Sequence, residues 1–220
     1  IGLEFSRQLA EDGWCVLACS RNLEKSDSLN KLAAEYPEQI TLYALDVADH
    51  GQIKKLSQTL ANKPIDLLIN NAGVFPDIND RSFGQTDYDA WAHAFLVNTM
   101  APLKMAEEFI TQITQSSRKT IVTITSKMGS VADNGRGGSY IYRSSKSAVN
   151  MVVKSIAIDL ESNGIISILL HPGWVRTDMG GPSGLISVEQ SVSGMLSVIR
   201  EVTSTDSGKF IAYDGQIIPW

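Results

Sequence analysis

The sequence predicts a doubly wound α/β fold: a mainly parallel sheet with helices on both faces. Helical and extended segments alternate from end to end of the 220 residues. The extended segments are almost solidly apolar rather than alternating, as strands covered on both faces are. No internal repeat, low-complexity tract or linker interrupts them, so residues 1–220 read as one domain.

The elements follow in order. Ile1–Ala10 is amphipathic with helical period, its Leu3, Phe5 and Leu9 set among Glu4, Arg7 and Gln8. Trp14–Cys19 (W-C-V-L-A-C) is a short apolar strand set off by Asp12-Gly13. Lys25–Glu35 is helix-like and stops before Pro37. Ile40–Leu45 is a strand, Gln52–Ala61 a helix and Ile65–Ile69 (I-D-L-L-I) a strand. Asp87–Ile113 is one long helical stretch with Pro102 inside it, which predicts a kink or split at that proline. Thr120–Thr125 (T-I-V-T-I-T) is β-branched throughout and extended. A glycine-rich loop, Gly129–Gly138, leads to a helix over Tyr142–Ser162. Its Val149, Val152, Val153, Ile156 and Leu160 share one face, and Asn163-Gly164 stops it. Ile165–Leu170 is a strand, Val188–Val202 a helix and Lys209–Ala212 a last short strand.

Composition excludes several classes. At 43% hydrophobic and 20% charged, the chain is ordinary for a water-soluble globule, and a net charge of -5 argues against a nucleic-acid binder. No apolar run approaches the roughly 18 residues of a membrane helix. Cys15 and Cys19, on one strand, would lie about 13 Å apart at roughly 3.3 Å per residue. A disulfide needs Cα atoms within about 7 Å, so both are expected to be buried free thiols, which suits a cytoplasmic protein. His50, His93 and His171 lack metal-ligand spacing, and no metal is expected.

In doubly wound sheets ligands bind beyond the carboxyl ends of the strands, so the segments there carry the chemistry. Ser20-Arg21-Asn22 follows the first of these strands. An acid at this corner would bond the 2′-hydroxyl of NAD, and an Arg accommodates the 2′-phosphate of NADP; a solvated surface Arg is the equal alternative. Asp46-Val47 follows the second, with an N-cap or turn aspartate as the plainer reading. Asn70-Asn71-Ala72-Gly73 suits a backbone that turns sharply and lets a flat ligand approach closely. Ser126 ends Thr120–Thr125 and offers a hydroxyl, outside any G-x-S-x-G elbow. Tyr142 and Lys146 stand at i and i+4 on one helix face, where an ammonium lowers a phenol's pKa from about 10 and makes Tyr142 a usable acid or base. One such pair arises often by chance; its place after Ser126 gives it weight. His171-Pro172-Gly173-Trp174-Val175-Arg176-Thr177 makes a tight turn at the end of the next strand.

Taken together these segments resemble the short-chain dehydrogenase/reductase family, nicotinamide-dependent oxidoreductases of Rossmann type. Asn70-Asn71-Ala72-Gly73, Asn98 in V-N-T, Ser126, Tyr142-x-x-x-Lys146 and Pro172-Gly173…Thr177 fall in that family's order across essentially the whole chain. S-K-M-G-S, G-G-S-Y-I-Y-R-S-S-K and P-G-W-V-R-T-D-M-G-G look most like its C-factor-like and sniffer-like carbonyl reductases. The resemblance implies that Tyr142 moves a proton to or from the substrate oxygen, that Lys146 lowers its pKa, and that Ser126 holds that oxygen. It implies that Asn98 supports a water serving Lys146. Asn71, Ala72 and Gly73 would lie along the cofactor, Asp46 and Val47 around its adenine, and Pro172, Gly173, Val175 and Thr177 at its nicotinamide end. Ser20 and Arg21 would select NADP(H).

The substrate side is expected in Val74–Gln85, Lys127–Ile141 and Trp174–Ile186, the last rich in Gly, Pro and Ser like a lid. Met128, Tyr140, Trp174 and Met179 would form an apolar pocket there, or equally pack in the core. The partner is a small carbonyl or alcohol, in a homodimer or homotetramer, with no nucleic acid or membrane. The family's T-G-x-x-x-G-x-G loop is represented only by its last glycine, Gly2, which lets the first helix pack closely and aim its amides at a pyrophosphate. A strand and two glycines, roughly a dozen residues, are expected ahead of Ile1. Two other readings stand beside the enzyme: a C-factor-like signalling or regulatory protein, and an inactive truncated relative.

Overall fold

The computed structural model describes residues 1–77 and 83–220. The part of Val74–Gln85 at 78–82 lies outside the described residues. Among the described residues the α-helices and strands follow in the order expected: α1 (Gly2–Glu11), β1 (Val16–Ser20), α2 (Asp27–Glu35), β2 (Ile40–Ala44), α3 (His50–Thr59), β3 (Leu67–Asn70), α4 (Tyr88–Phe95), α5 (Ala101–Thr114), β4 (Thr120–Ile124), α6 (Tyr140–Asp159), β5 (Ile166–His171), α7 (Val188–Glu201) and β6 (Phe210–Ala212). Every pairing between them is parallel. β1 pairs with β2, and β3-β4-β5-β6 form a second ribbon in that order.

The two faces are built by period-2 alternation along the strands. On β4, Ile121 points to one side, into a core with α3, α5 and α6 through Ile53, Leu56, Phe109, Ile113 and Ile156. Val122 and Ile124 point to the other, where α1 and α7 supply Phe5, Leu9, Val192, Met195 and Ile199. Leu169 and Phe210 are fully covered, as a sheet clad on both sides requires. Ala10, Ala18, Leu32 and Ile40 form a smaller core beneath β1 and β2.

Among the described strands, β1 pairs only with β2 and β3 only with β4. A cleft of about 1600 Å³ runs between β1 and β3, lined by both strands, by the N-terminus of α1 and by the loops at their carboxyl ends. This cleft corrects the expectation for the two cysteines. Both are exposed free thiols: Cys15 precedes β1, and Cys19 stands on β1 where it lines the open cleft. The apolar run W-C-V-L-A-C implied burial throughout; Val16, Leu17 and Ala18 do pack against the cores, while the two thiols face the cleft.

The long stretch Asp87–Ile113 also differs. It is split, but the split lies before the proline. Leu96–Met100 is one turn of π-helix between α4 and α5, and Pro102 sits in the first turn of α5, where its missing N–H costs nothing. Helix α6 begins at Tyr140, two residues earlier than its periodicity suggests, so Tyr140 is in its first turn and 40% exposed.

Candidate active site

The carboxyl ends of β3 and β4, the π turn and the first turns of α6 converge at one end of the cleft. Ser126 follows β4 and caps the 3-10 turn Lys127–Gly129, its Oγ accepting from the Met128 N–H at 3.2 Å. That leaves the hydroxyl proton free, and Ser126 approaches Tyr142 closely enough to favour its phenolate. Gly129 makes this approach possible: a Cβ there would fall 2.8 Å from the Lys146 carbonyl carbon. The Tyr142 ring is held edge-on by Phe75, with centroids 4.7 Å apart and planes at 76°.

Lys146 lies one turn on, 4% exposed, and its Nζ donates to the Ile124 carbonyl at 3.0 Å. Its ammonium stands 5.7 Å from the Tyr142 ring centroid. A Cβ on Gly73 would sit 3.6 Å from that Nζ and 3.4 Å from Asn98 Oδ1, so the loop after β3 passes in van der Waals reach of both side chains. Asn98, in the π turn, is 1% exposed. Its Oδ1 accepts from the Val74 N–H at 2.8 Å, and its Nδ2 donates to the Val74 carbonyl at 2.9 Å and to Ser145 Oγ at 3.0 Å. The amide of Asn98 is thus spent on clamping the loop after β3 to α6.

Electrostatics depart from the simple Tyr–Lys expectation. Burial pushes the Tyr142 phenol up to about 12, with the neighbouring Ser126 side chain pulling the other way. Burial also pushes the Lys146 ammonium down to about 8. The i, i+4 spacing predicts a lowered phenol pKa. In the structure desolvation outweighs the ammonium, which is turned toward the Ile124 carbonyl.

The other sequence-predicted residues divide. Gly2, Ser20, Arg21, Asp46, Val47, Asn71, Ala72, Gly73, Pro172, Thr177 and Met179 line the cleft with Tyr142 and Lys146. Gly173 and Val175 stand behind it. Gly173 has φ +83, and a Cβ there would fall 2.7 Å from Ile186 Cδ1; Val175 is 4% exposed and bridged to Ile186. Met128, Tyr140 and Trp174 lie outside the lining, and the indole Nε1 of Trp174 donates to the Gly180 carbonyl at 2.7 Å. Asp46 is a turn residue, its Oδ1 accepting from the Ala48 N–H at 2.9 Å, while Asp49 caps α3.

The residues present fit a dinucleotide. Gly2, at the start of α1, packs so closely that a Cβ would meet Asn71 Nδ2 at 2.6 Å. At the far corner Ser20 Oγ lies 2.7 Å from Ser26 Oγ, with Arg21 and Lys25 adjoining in the lining. Lys25 and Ser26 were legible only as neighbours of Arg21, one short turn further on. Among the described residues no cluster of His, Cys, Asp or Glu could hold a metal ion, and no helix is long and apolar enough to cross a membrane.

The short chain dehydrogenase family model matches residues 1–184. The chain belongs to the short-chain dehydrogenase/reductase family. C-signal of Myxococcus xanthus is 40% identical over 168 residues, which is 76% of this chain and 100% of that protein. The NADPH-bound carbonyl reductase from chicken fatty liver superposes with a TM-score of 0.91 at 30% identity, covering 100% of this chain and 94% of that one. The Drosophila melanogaster carbonyl reductase Sniffer gives a TM-score of 0.87 at 28% identity, covering 92% and 86%.

In this short-chain dehydrogenase/reductase, His171 ties the turn after β5 to the Ser126 loop. Its Nδ1 accepts from the Lys127 N–H at 3.2 Å, which requires a neutral ring. Burial, and secondarily the Lys127 charge, push its pKa down to about 4. A depressed native value means that this stability is complete above the ordinary imidazole pKa of about 6.5 and is lost as pH falls toward 4. The cost of acidification is about 3 kcal/mol. Denaturant unfolding between those pH values is expected to show it, and the slope should flatten in His171→Asn, whose amide oxygen can accept the same hydrogen bond without titrating. An unchanged slope in that variant would refute the assignment.

Proposed function

We propose that this protein is an NADP(H)-dependent oxidoreductase that interconverts a small-molecule carbonyl and its alcohol. The observation that carries this is Tyr142 beside buried Lys146 with Ser126 as its polar neighbour, at one end of a cleft whose far corner presents Arg21. NADPH, held by residues from Ser20 and Arg21 through Asn71–Gly73 to Thr177, would supply the hydride when bound.

The chain's own groups do the rest. The hydroxyls of Ser126 and Tyr142 would donate together to one carbonyl oxygen, fixing the carbonyl's position. With its pKa up at about 12, Tyr142 keeps its proton through neutral pH and has one to give. The phenolate left behind would be favoured by the Ser126 hydroxyl, with the Lys146 ammonium 5.7 Å from the ring centroid. Phe75 covers the ring edge and keeps water from it. The lack of an acid on Ser20–Asn22, with Arg21 and Lys25 adjoining, favours a 2′-phosphate over a free 2′-hydroxyl. The NADP-bound carbonyl reductase of Pseudomonas aeruginosa PAO1, 30% identical with a TM-score of 0.85, supports the same choice.

The test follows cofactor absorbance with a panel of aldehydes, ketones and quinones. Consumption of NADPH in preference to NADH is expected; no turnover with either cofactor would overturn the reading. Identity to C-signal along that protein's whole length favours a second reading, a regulatory protein that uses the nucleotide-bound fold as a binding surface. A biological effect fully retained by a Tyr142→Phe chain would support that one.

A further inference from the structure

Helix α6 starts in an unusual way. Its N-cap residue, Ser139, has φ 48 and ψ 47, a left-handed conformation, and its side chain caps nothing. An ordinary Ser N-cap is extended, so that its hydroxyl can accept from the second or third helical amide. Here those two amides, of Ile141 and Tyr142, turn to a residue far away in sequence. Asp77 Oδ2 accepts from the Tyr142 N–H at 2.7 Å, and Oδ1 accepts from the Ile141 N–H at 3.4 Å. Asp77 is 1% exposed, and the positive end of a 20-residue helix stabilises its carboxylate there.

The same short segment holds the Tyr142 ring as well. Phe75, two residues before Asp77, meets that ring edge-on, and Val74 is clamped by Asn98. One loop leaving β3 therefore grips Tyr142 by its ring and its backbone while it lines the cofactor cleft at Gly73.

We propose that Asp77 is a positioning residue for Tyr142: acting as an N-cap supplied from another element, it sets where the phenol stands relative to Ser126. The inference rests on the reading of Tyr142 as the proton donor in carbonyl reduction. Asp77 touches neither substrate nor cofactor in this role. Its loss should leave their binding intact and misplace the proton.

The test compares Asp77→Ala with Asp77→Asn, whose amide oxygen still accepts one of the two N–H groups. In Asp77→Ala, kcat for carbonyl reduction should fall tenfold or more, with KM for the carbonyl and Kd for NADPH within threefold of the unsubstituted protein. Asp77→Asn should recover kcat to within threefold. Amide hydrogen exchange supplies a readout that needs no substrate. In Asp77→Ala exchange at Ile141 and Tyr142 should quicken tenfold or more, while the far end of α6, Ile156–Asp159, stays as protected as before. In Asp77→Asn both ends should stay protected. Four results would overturn the proposal: kcat of Asp77→Ala within twofold of the unsubstituted protein, Asp77→Asn as impaired as Asp77→Ala, losses in KM or Kd as large as the loss in kcat, or exchange that quickens along all of α6. If Asp77→Ala does not fold, the exchange pattern and kcat of Asp77→Asn decide alone, and a loss of protection confined to neither end with kcat down tenfold counts against it. An unsubstituted protein without turnover would remove the carbonyl-reductase reading, and the exchange data would still decide whether Asp77 caps α6 at Tyr142.

Discussion

Tyr142→Phe is expected to lower kcat for carbonyl reduction by about 10²–10⁴-fold, the usual contribution of a positioned general acid. The substitution removes one oxygen and little else. The ring keeps its edge-on contact with Phe75, and Asp77 still holds the backbone N–H of residue 142. Ser126 loses a polar neighbour but is only half-buried and can turn to water, so folding should change by no more than about 1 kcal/mol. Cofactor affinity should hold, since the lining at Ser20, Arg21 and Asn71–Gly73 is untouched. A steady-state comparison with separately measured NADPH binding checks this. A variant that retains more than a tenth of the activity would show that the proton comes from another group.

Asn98→Ala is expected to be the most damaging single change away from the acid itself. The side chain is 1% exposed and makes three hydrogen bonds, two of them to the N–H and carbonyl of Val74. Deleting it strands both backbone groups of Val74 and one bond of Ser145. At about 1–3 kcal/mol for each buried polar group left unsatisfied, the loss should reach about 3 kcal/mol or more. The loop carrying Gly73, Phe75 and Asp77 would also come loose from the π turn, so activity should fall with stability. Denaturant unfolding gives the first effect as a lower midpoint at unchanged slope. Stability within about 1 kcal/mol of the unsubstituted protein would mean that the clamp contributes little.

The order of elements was legible because apolar, β-branched runs such as T-I-V-T-I have few alternatives to a buried strand. Ser126, Tyr142 and Lys146 were legible because strand end and helix start lie close along the chain. What escaped depends on contacts between distant residues or on what covers a strand. The Asp77 cap joins positions 64 and 65 residues apart, and no local pattern marks it. The π turn lies just ahead of Pro102, and the proline announces a break without its geometry. Cys19 belongs to an apolar run, but its exposure is decided by the open cleft beside β1. The Tyr142 pKa follows from burial rather than from the spacing of Lys146, and burial is not written in an i, i+4 pair.

The central claim, that Tyr142 and its neighbours deliver a proton to a carbonyl that receives hydride, is tested most directly by label transfer. NADPH carrying deuterium at both positions of the reactive carbon of the nicotinamide ring would be turned over with a carbonyl substrate, and the alcohol analysed by mass spectrometry and NMR. Deuterium on the carbinol carbon, formed by the unsubstituted protein and not by Tyr142→Phe, is the predicted result. Alcohol without deuterium at that carbon, or the same labelled yield from Tyr142→Phe, would contradict it.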